Sequence, residues 1–255
     1  MGACAVKSLA AEGRSVIMAC RNTAKAEAVH SRILKDIPGS KIEVRQLDLA
    51  SMASVRAFAE GLEGERFAAL FNNAGVINRD YSLTADGFEA TFAVNYFAPV
   101  LLTRLLEPGF VPGARVVSMT SLTRKWVRIS ADSLDVRPKD FSQLGTYARA
   151  KLAMVYFSQE FSRRNPSLMV NLADPGVVNS NMISMGRWFD PLADILFRPL
   201  CTRPEKGVQP ALRALESEVS GHIFSSRGHS PVSGRFASAQ IAADLWEKTE
   251  QMLGL

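Results

Sequence analysis

The sequence predicts a doubly wound α/β fold, in which a mainly parallel sheet carries helices on both faces. Three observations predict it. Short apolar and β-branched runs alternate with longer helical patterns, as repeated βαβ units require. Several runs end in small or polar residues, at Asn72–Gly75, Thr120–Ser121 and Pro175–Gly176, where open α/β sheets gather their ligands. With 255 residues, 47% hydrophobic and 22% charged, the chain can bury one substantial core, so a single domain over 1–255 is expected.

The elements follow in order. Residues 1–12 read as a helix ending at Gly13, and Ser15–Cys20 as a strand buried on both faces. A helix over Thr23–Asp36 is stopped by Pro38 and Gly39, and Lys41–Leu47 is the next strand. Ser51 can cap a helix reaching Leu62, and Ala68–Phe71 forms a short buried strand delivering Asn72, Asn73, Ala74 and Gly75. A long helix over Asp86–Leu106 precedes the strand Ala114–Met119. The helix carrying Tyr147 and Lys151 reaches Arg164, and Leu168–Ala173 is a strand ending at Pro175–Gly176. An apolar, lid-like stretch over about 176–204 follows, with Met182, Trp188, Phe189 and Phe197 among its large residues. A helix comes next, with Pro210 either in its first turn or kinking it. A short strand near His222–Ser225 and a terminal helix complete the chain.

The formal charge is +5, but Lys and Arg are dispersed, which favours a phosphate-bearing small molecule over nucleic acid. Cys4, Cys20 and Cys201 have neither disulfide nor zinc spacing, pointing to a reducing compartment. His30, His222 and His229 are scattered, so no metal site is expected. No apolar run is long enough for a membrane span and no secretory leader pattern opens the chain, so a cytoplasmic protein is expected, with peripheral membrane contact through the lid as the variant.

Tyr147 and Lys151 lie four apart on one helix face and can meet the same ligand. That spacing alone is weak, since a solvated helix face produces it too. Its place in the order of motifs is more specific: Asp48 after a strand, Asn72–Gly75, Asn95 within VNYFAP, Ser121, YARAK at 147–151 and PGVVNS at 175–180. Through these the chain resembles the short-chain dehydrogenase/reductase family over nearly its whole length. The ACRN segment around Arg21 and LGTYARAK are most similar to its retinol-dehydrogenase-like branch.

The resemblance implies a Rossmann-like, three-layer α/β/α fold and an oxidoreductase interconverting an alcohol and a carbonyl with a nicotinamide cofactor. It implies Tyr147 as general acid/base, Ser121 as the hydroxyl orienting the substrate oxygen, Lys151 holding the nicotinamide ribose, and Asn95 bending its helix and anchoring a proton-relaying water. An unperturbed phenol is a poor base near neutrality, and an adjacent ammonium favours its phenolate. Cofactor-binding positions implied are Gly2, Arg21, Asp48, Leu49, Asn73, Ala74, Gly75, Pro175, Gly176 and Val178, with Tyr147 and Lys151. Arg21 stands where an acidic residue would accept the ribose hydroxyls of NAD and where an arginine suits a 2′-phosphate, so NADP is expected ahead of NAD. The apolar lid stretch suits a lipophilic substrate, and core packing, a subunit contact or membrane-surface contact explains it equally well. Family members often dimerise through helices matching 86–106 and 147–164.

The chain departs from the family at its start. Met1–Gly2 aligns with the last glycine of the family's Gly-rich turn, so the first, central strand and most of that turn are missing. The expectation is two unpaired sheet edges flanking a hydrophobic slot, in a natural protein that begins upstream. Thr120, Ala150 and Asp174 are smaller departures. The rival readings are a non-catalytic cofactor sensor or scaffold, a truncated inactive form, and an epimerase or dehydratase using the same Tyr and Lys.

Overall fold

The computed structural model of the protein describes residues 1–178 and 202–255. Met182, Trp188, Phe189, Phe197 and most of the expected lid lie outside the described residues.

The chain opens with α1 (Gly2–Ala11), β1 (Val16–Cys20), α2 (Thr23–Asp36), β2 (Ile42–Gln46) and α3 (Met52–Glu60). Gly13 ends the first unit at φ 75°, a left-handed turn that favours glycine. Asn22 caps α2 by accepting from the Lys25 N–H, and Ser51 caps α3 by accepting from the Ser54 N–H. β3 (Phe67–Asn72) follows, then α4 (Ala90–Phe92), a π-helical turn (Ala93–Phe97) and α5 (Ala98–Leu106), which run on as one helix. This helix begins four residues later than the sequence suggests. Glu89 caps it through the Phe92 N–H, while the Asp86 carboxylate turns to the Met52 N–H at the start of α3.

β4 (Phe110–Met119) starts before the expected Ala114. Pro112 and Gly113 read as a turn, but they form a register shift inside the strand, which already pairs Phe67 with Phe110. Then come α6 (Gln143–Arg164), β5 (Met169–Ala173), α7 (Pro204–Gly207), α8 (Gln209–Glu216), β6 (His222–Ser225), β7 (Gly228–Pro231) and α9 (Ala239–Leu253). Pro210 falls in the first turn of α8, where its missing N–H loses nothing.

The strands form two groups. β1 pairs with β2 in parallel, and β3-β4-β5-β6 pair in parallel, with β7 closing the far edge antiparallel. Alternate residues of the central strands feed two cores. Val116, Val170 and Leu172 join one cluster with Val55, Phe97, Leu101, Phe161 and Trp246, whereas Val117, Met119 and Ala173 join another with Ala5, Leu212, Leu215 and Phe224. Helices therefore cover both faces, giving the expected three layers. Trp246 of α9 stacks on Phe157 of α6 at 5.5 Å, and the Arg104 and Arg164 guanidiniums lie over its ring at 4.6 and 4.4 Å.

Between β1 and β3 lies a cleft of about 1150 Å³, lined by Ile17, Met18, Leu70, Phe71 and Leu102. It falls where the sequence reading expects a slot in the sheet. It also corrects one expectation: β1 and β3 are not buried on both faces. Only Met18 of β1 is buried, and Ala68 and Ala69 of β3 are exposed, because no neighbouring strand covers their inner edges. The β1–β2 pair is consequently held by α1, α2 and loop packing rather than by a continuous hydrogen-bond ladder.

This construction sets an order of local stability. Amides of β4 and β5 should exchange with solvent at the slowest, global rate, and those of β1 and β2 at least about tenfold faster. Equal protection across all four strands in a native-state exchange experiment would contradict the divided sheet.

Candidate active site

Parallel pairing of β4 and β5 brings their C-terminal ends to one place. Met119 pairs with Ala173, and the Thr120 N–H donates to the Ala173 carbonyl at 2.9 Å. Ser121 and Asp174 thus leave adjacent strands at the same level. Ser121 begins the 3-10 turn Leu122–Trp126, and its Oγ accepts from the Thr123 N–H at 3.3 Å and from the Thr123 hydroxyl at 3.1 Å.

α6 brings Tyr147 over these strand ends. The helix buries Thr146, Tyr147, Ala150, Lys151, Met154 and Phe161 among others, so its rotation is fixed by packing. Small residues at Ala148 and Ala150 leave room for that close approach. The Tyr147 phenol faces the Ser121 hydroxyl. Its ionisation is pushed up to about 12, first by burial, with the Ser121 hydroxyl opposing and the Asp174 carboxylate adding to the rise. One turn on, the Lys151 Nζ lies 5.7 Å from the centre of the Tyr147 ring and donates to the Met119 carbonyl at 3.1 Å. Burial lowers the Lys151 pKa to about 8. A neutral phenol and a mostly charged ammonium therefore coexist at neutral pH.

Asn95 occupies the π-helical turn, where an extra residue widens the helix and aims its side chain outward from the axis. It is buried, and its Nδ2 donates to the Val76 and Thr91 carbonyls at 2.8 and 2.7 Å while its Oδ1 accepts from the Val76 N–H at 3.3 Å. Asn95 thereby clamps the chain just after Gly75.

The other expected cofactor positions form a second group. Gly2 opens α1 against Asn73: a Cβ on Gly2 would stand 3.0 Å from Asn73 Nδ2, so a larger residue would require that side chain to shift by a few tenths of an ångström. Asn73 Oδ1 is buried with no hydrogen-bond partner among the described residues, which suits a polar ligand beside it. Gly2, Asn73 and Ala74 border the cleft together with Leu47 and Leu49. Arg21 is exposed at the end of β1. Asp48 follows β2 and commits Oδ1 to the Ala50 N–H at 2.9 Å. Gly176, at φ 70°, donates its N–H to Asp174 Oδ1 at 3.1 Å, and Val178 is buried in an isolated bridge with Thr202.

Ser121, Tyr147 and Lys151 are thus brought together, and Gly2 and Asn73 form a separate junction; Arg21 and Asp48 stand on the β1–β2 side of the cleft, away from α6. The cleft itself does not reach Ser121 or Tyr147. One pair escaped the sequence reading. Arg124 and Asp174 form a buried ion pair, Nη1 to Oδ2 at 2.5 Å, directly beneath Ser121. Nothing in the sequence spacing signals it, since the partners are fifty residues apart. Among the described residues no group of three metal-ligating side chains assembles, and no helix is long and apolar enough to cross a membrane.

A family model described as short chain dehydrogenase matches residues 1–187. The chain belongs to the short-chain dehydrogenase family. Retinol dehydrogenase 12 of Homo sapiens is 34% identical over 259 residues, covering 98% of this chain and 81% of that protein, and places it in the retinol-dehydrogenase-like branch. The solved structure of an uncharacterized protein from Mycobacterium Paratuberculosis matches with a TM-score of 0.81 at 30% identity, covering 100% of this chain and 90% of that one. A short-chain dehydrogenase from Sphingobium yanoikuyae in complex with NADPH shares the fold, with a TM-score of 0.68 at 21% identity over 88% and 82% of the two chains. As a short-chain dehydrogenase, the protein is an oxidoreductase acting on CH–OH or C=O groups with NAD(P).

The buried lysine has a stability signature. Its folded pKa of about 8 lies below the ordinary 10.5, so between those values the unfolded chain keeps a proton that the folded one has released, and below pH 8 the folded chain carries the buried charge. The destabilisation is fully present below pH 8 and fades as pH rises to 10.5. Lys151→Met should therefore be more resistant to urea than the parent at pH 7, by up to about 3 kcal/mol. The difference should shrink to nothing by pH 10.5. A constant difference across that range would contradict the assignment of burial as the cause.

Proposed function

We propose that this short-chain dehydrogenase reduces a lipophilic aldehyde or ketone with NADPH, Tyr147 giving the proton to the nascent alkoxide. The observation that carries the reading is the constellation at the ends of β4 and α6: the Tyr147 phenol on the Ser121 hydroxyl, with the Lys151 ammonium one helical turn away. The cofactor, when bound, supplies the hydride. Ser121 orients the substrate oxygen by hydrogen bonding, and Tyr147 completes the reaction by moving its phenolic proton to that oxygen. The high pKa of the phenol keeps the proton in place until negative charge develops, which favours reduction over oxidation. The charged Lys151 then stabilises the phenolate left behind.

Several features support the cofactor reading. The Gly2–Asn73 junction and the orphaned Asn73 oxygen fit a polar ligand, and Asn95 fixes the adjoining 73–76 segment. Exposed Arg21 suits the 2′-phosphate of NADP. A lipophilic substrate is supported by the apolar rim: Trp126, close after Ser121, is 71% exposed, and Val177, after the Pro-Gly turn, is 64% exposed. The same rim would suit peripheral contact with a membrane surface. Relatives named for retinol, itself a lipophilic alcohol, agree with it. The divided sheet favours one rival, a protein that binds the cofactor without turnover.

Two experiments test the reading. Tyr147→Phe should lower aldehyde reduction by about 10²- to 10⁴-fold while NADPH binding, followed by nicotinamide fluorescence, changes far less. Full turnover in that variant would refute the mechanism, and binding without turnover in the parent would favour the rival. Arg21→Gln should weaken NADPH binding by about tenfold or more and leave NADH binding little changed, since the lost guanidinium faces only the 2′-phosphate.

A further inference from the structure

We propose that Arg124 and Asp174 are positioning residues, a buried ion pair that locks the Ser121 segment to the Pro175–Gly176 turn and tunes the charge around the Tyr147 phenol. The inference rests on the reading of Tyr147 as the proton-transfer group.

The pair joins two chain segments that no backbone hydrogen bond links beyond Thr120 and Ala173. Arg124 Nη1 donates to Asp174 Oδ2 at 2.5 Å and to the Ser121 carbonyl at 2.7 Å, so one guanidinium nitrogen holds both. Asp174 Oδ1 in turn accepts from the Gly176 N–H at 3.1 Å and fixes the left-handed glycine of the turn. The two side chains are only 7% and 3% exposed. A carboxylate this deeply buried is strongly unfavourable alone and tolerable only with a charged partner. Fold stability does not call for such a pair here, because apolar residues of similar size would fill the space at least as well. Its position explains its presence: it connects the end of β4 to the end of β5 directly below the reacting groups.

The electrostatic part follows from the same geometry. The charged groups about the phenol are Lys151 on its own helix, Arg124 on the 3-10 turn and Asp174 after β5, with Lys125 of that turn exposed. Ser121 and Asn95, from β4 and the π-helical turn, are neutral. Asp174 raises the ionisation of Tyr147, and the Arg124 guanidinium is paired directly to that carboxylate. Arg124→Gln would leave the carboxylate uncompensated, whereas Asp174→Asn would leave the guanidinium uncompensated. The two single variants must therefore move the phenol in opposite directions.

The test is an ultraviolet tyrosinate titration of the full chain, with Tyr147→Phe subtracting Tyr81, Tyr96 and Tyr156. In Asp174→Asn the Tyr147 signal should shift down by about one pH unit, in Arg124→Gln it should shift up by about as much, and in the double variant it should return to the parent position. Thermal midpoints measured at neutral pH should fall in each single variant and fall by less than the sum in the double variant. Unshifted titrations, shifts of the same sign, or additive midpoints would overturn the proposal, and where alkali unfolds a variant the midpoints decide alone. No turnover is needed, so a chain that failed to reduce any carbonyl would undo the proposed function while leaving this result readable.

Discussion

Burial of α6 is the constraint on which the rest of the structure depends. Its buried residues face the sheet, the π-helical turn and α9 at once, so the helix can neither rotate nor slide without opening the main core. Tyr147 and Lys151 inherit that rigidity. Neither side chain needs a network of its own to hold its place: a single carbonyl anchors Lys151, and a single hydroxyl meets Tyr147. The chemistry is placed by hydrophobic packing around it.

The electrostatics are arranged against the same background. Burial favours the neutral phenol and disfavours the lysine charge, so Tyr147 and Lys151 sit in a medium that amplifies any nearby charge. In such a medium an isolated carboxylate at the end of β5 would dominate the site. The guanidinium from the end of β4 restricts its reach while also drawing the two strand ends together. Structural closure and charge balance are here properties of one contact.

Much of this was legible in the sequence, for reasons that differ by element. α2 was read residue for residue because Thr23–Asp36 has a capping Asn before it and Pro38–Gly39 after it. The strand ends at Asn72–Gly75, Thr120–Ser121 and Pro175–Gly176 are legible as short apolar runs closed by small or polar residues. β7 was missed because Gly228–Pro231 is exposed throughout and offers no apolar alternation. The start of β4 was missed because Pro112–Gly113 has the local signature of a turn and pairs only through a register shift. The slot beside β1 could be anticipated only through the resemblance to the family, since nothing in the neighbouring residues themselves marks a gap in the sheet. The Arg124–Asp174 contact could not, since it joins residues related only through the pairing of β4 with β5. Arg21 and Asp48 were placed at strand ends correctly, but their relation to Tyr147 depends on how the β1–β2 pair sits across the cleft.

That cleft turns the protein into a ruler with an elastic joint. A dinucleotide has a fixed span, and in a continuous sheet the marks against which it is measured are spaced by strand ladders that scarcely stretch. Here the marks on the β1–β2 side are spaced from those on the β4–β5 side by helix packing alone. Whatever ligand touches both sides therefore does more than occupy a site: it fixes the distance between two bodies, and part of its binding free energy is spent as their lost freedom.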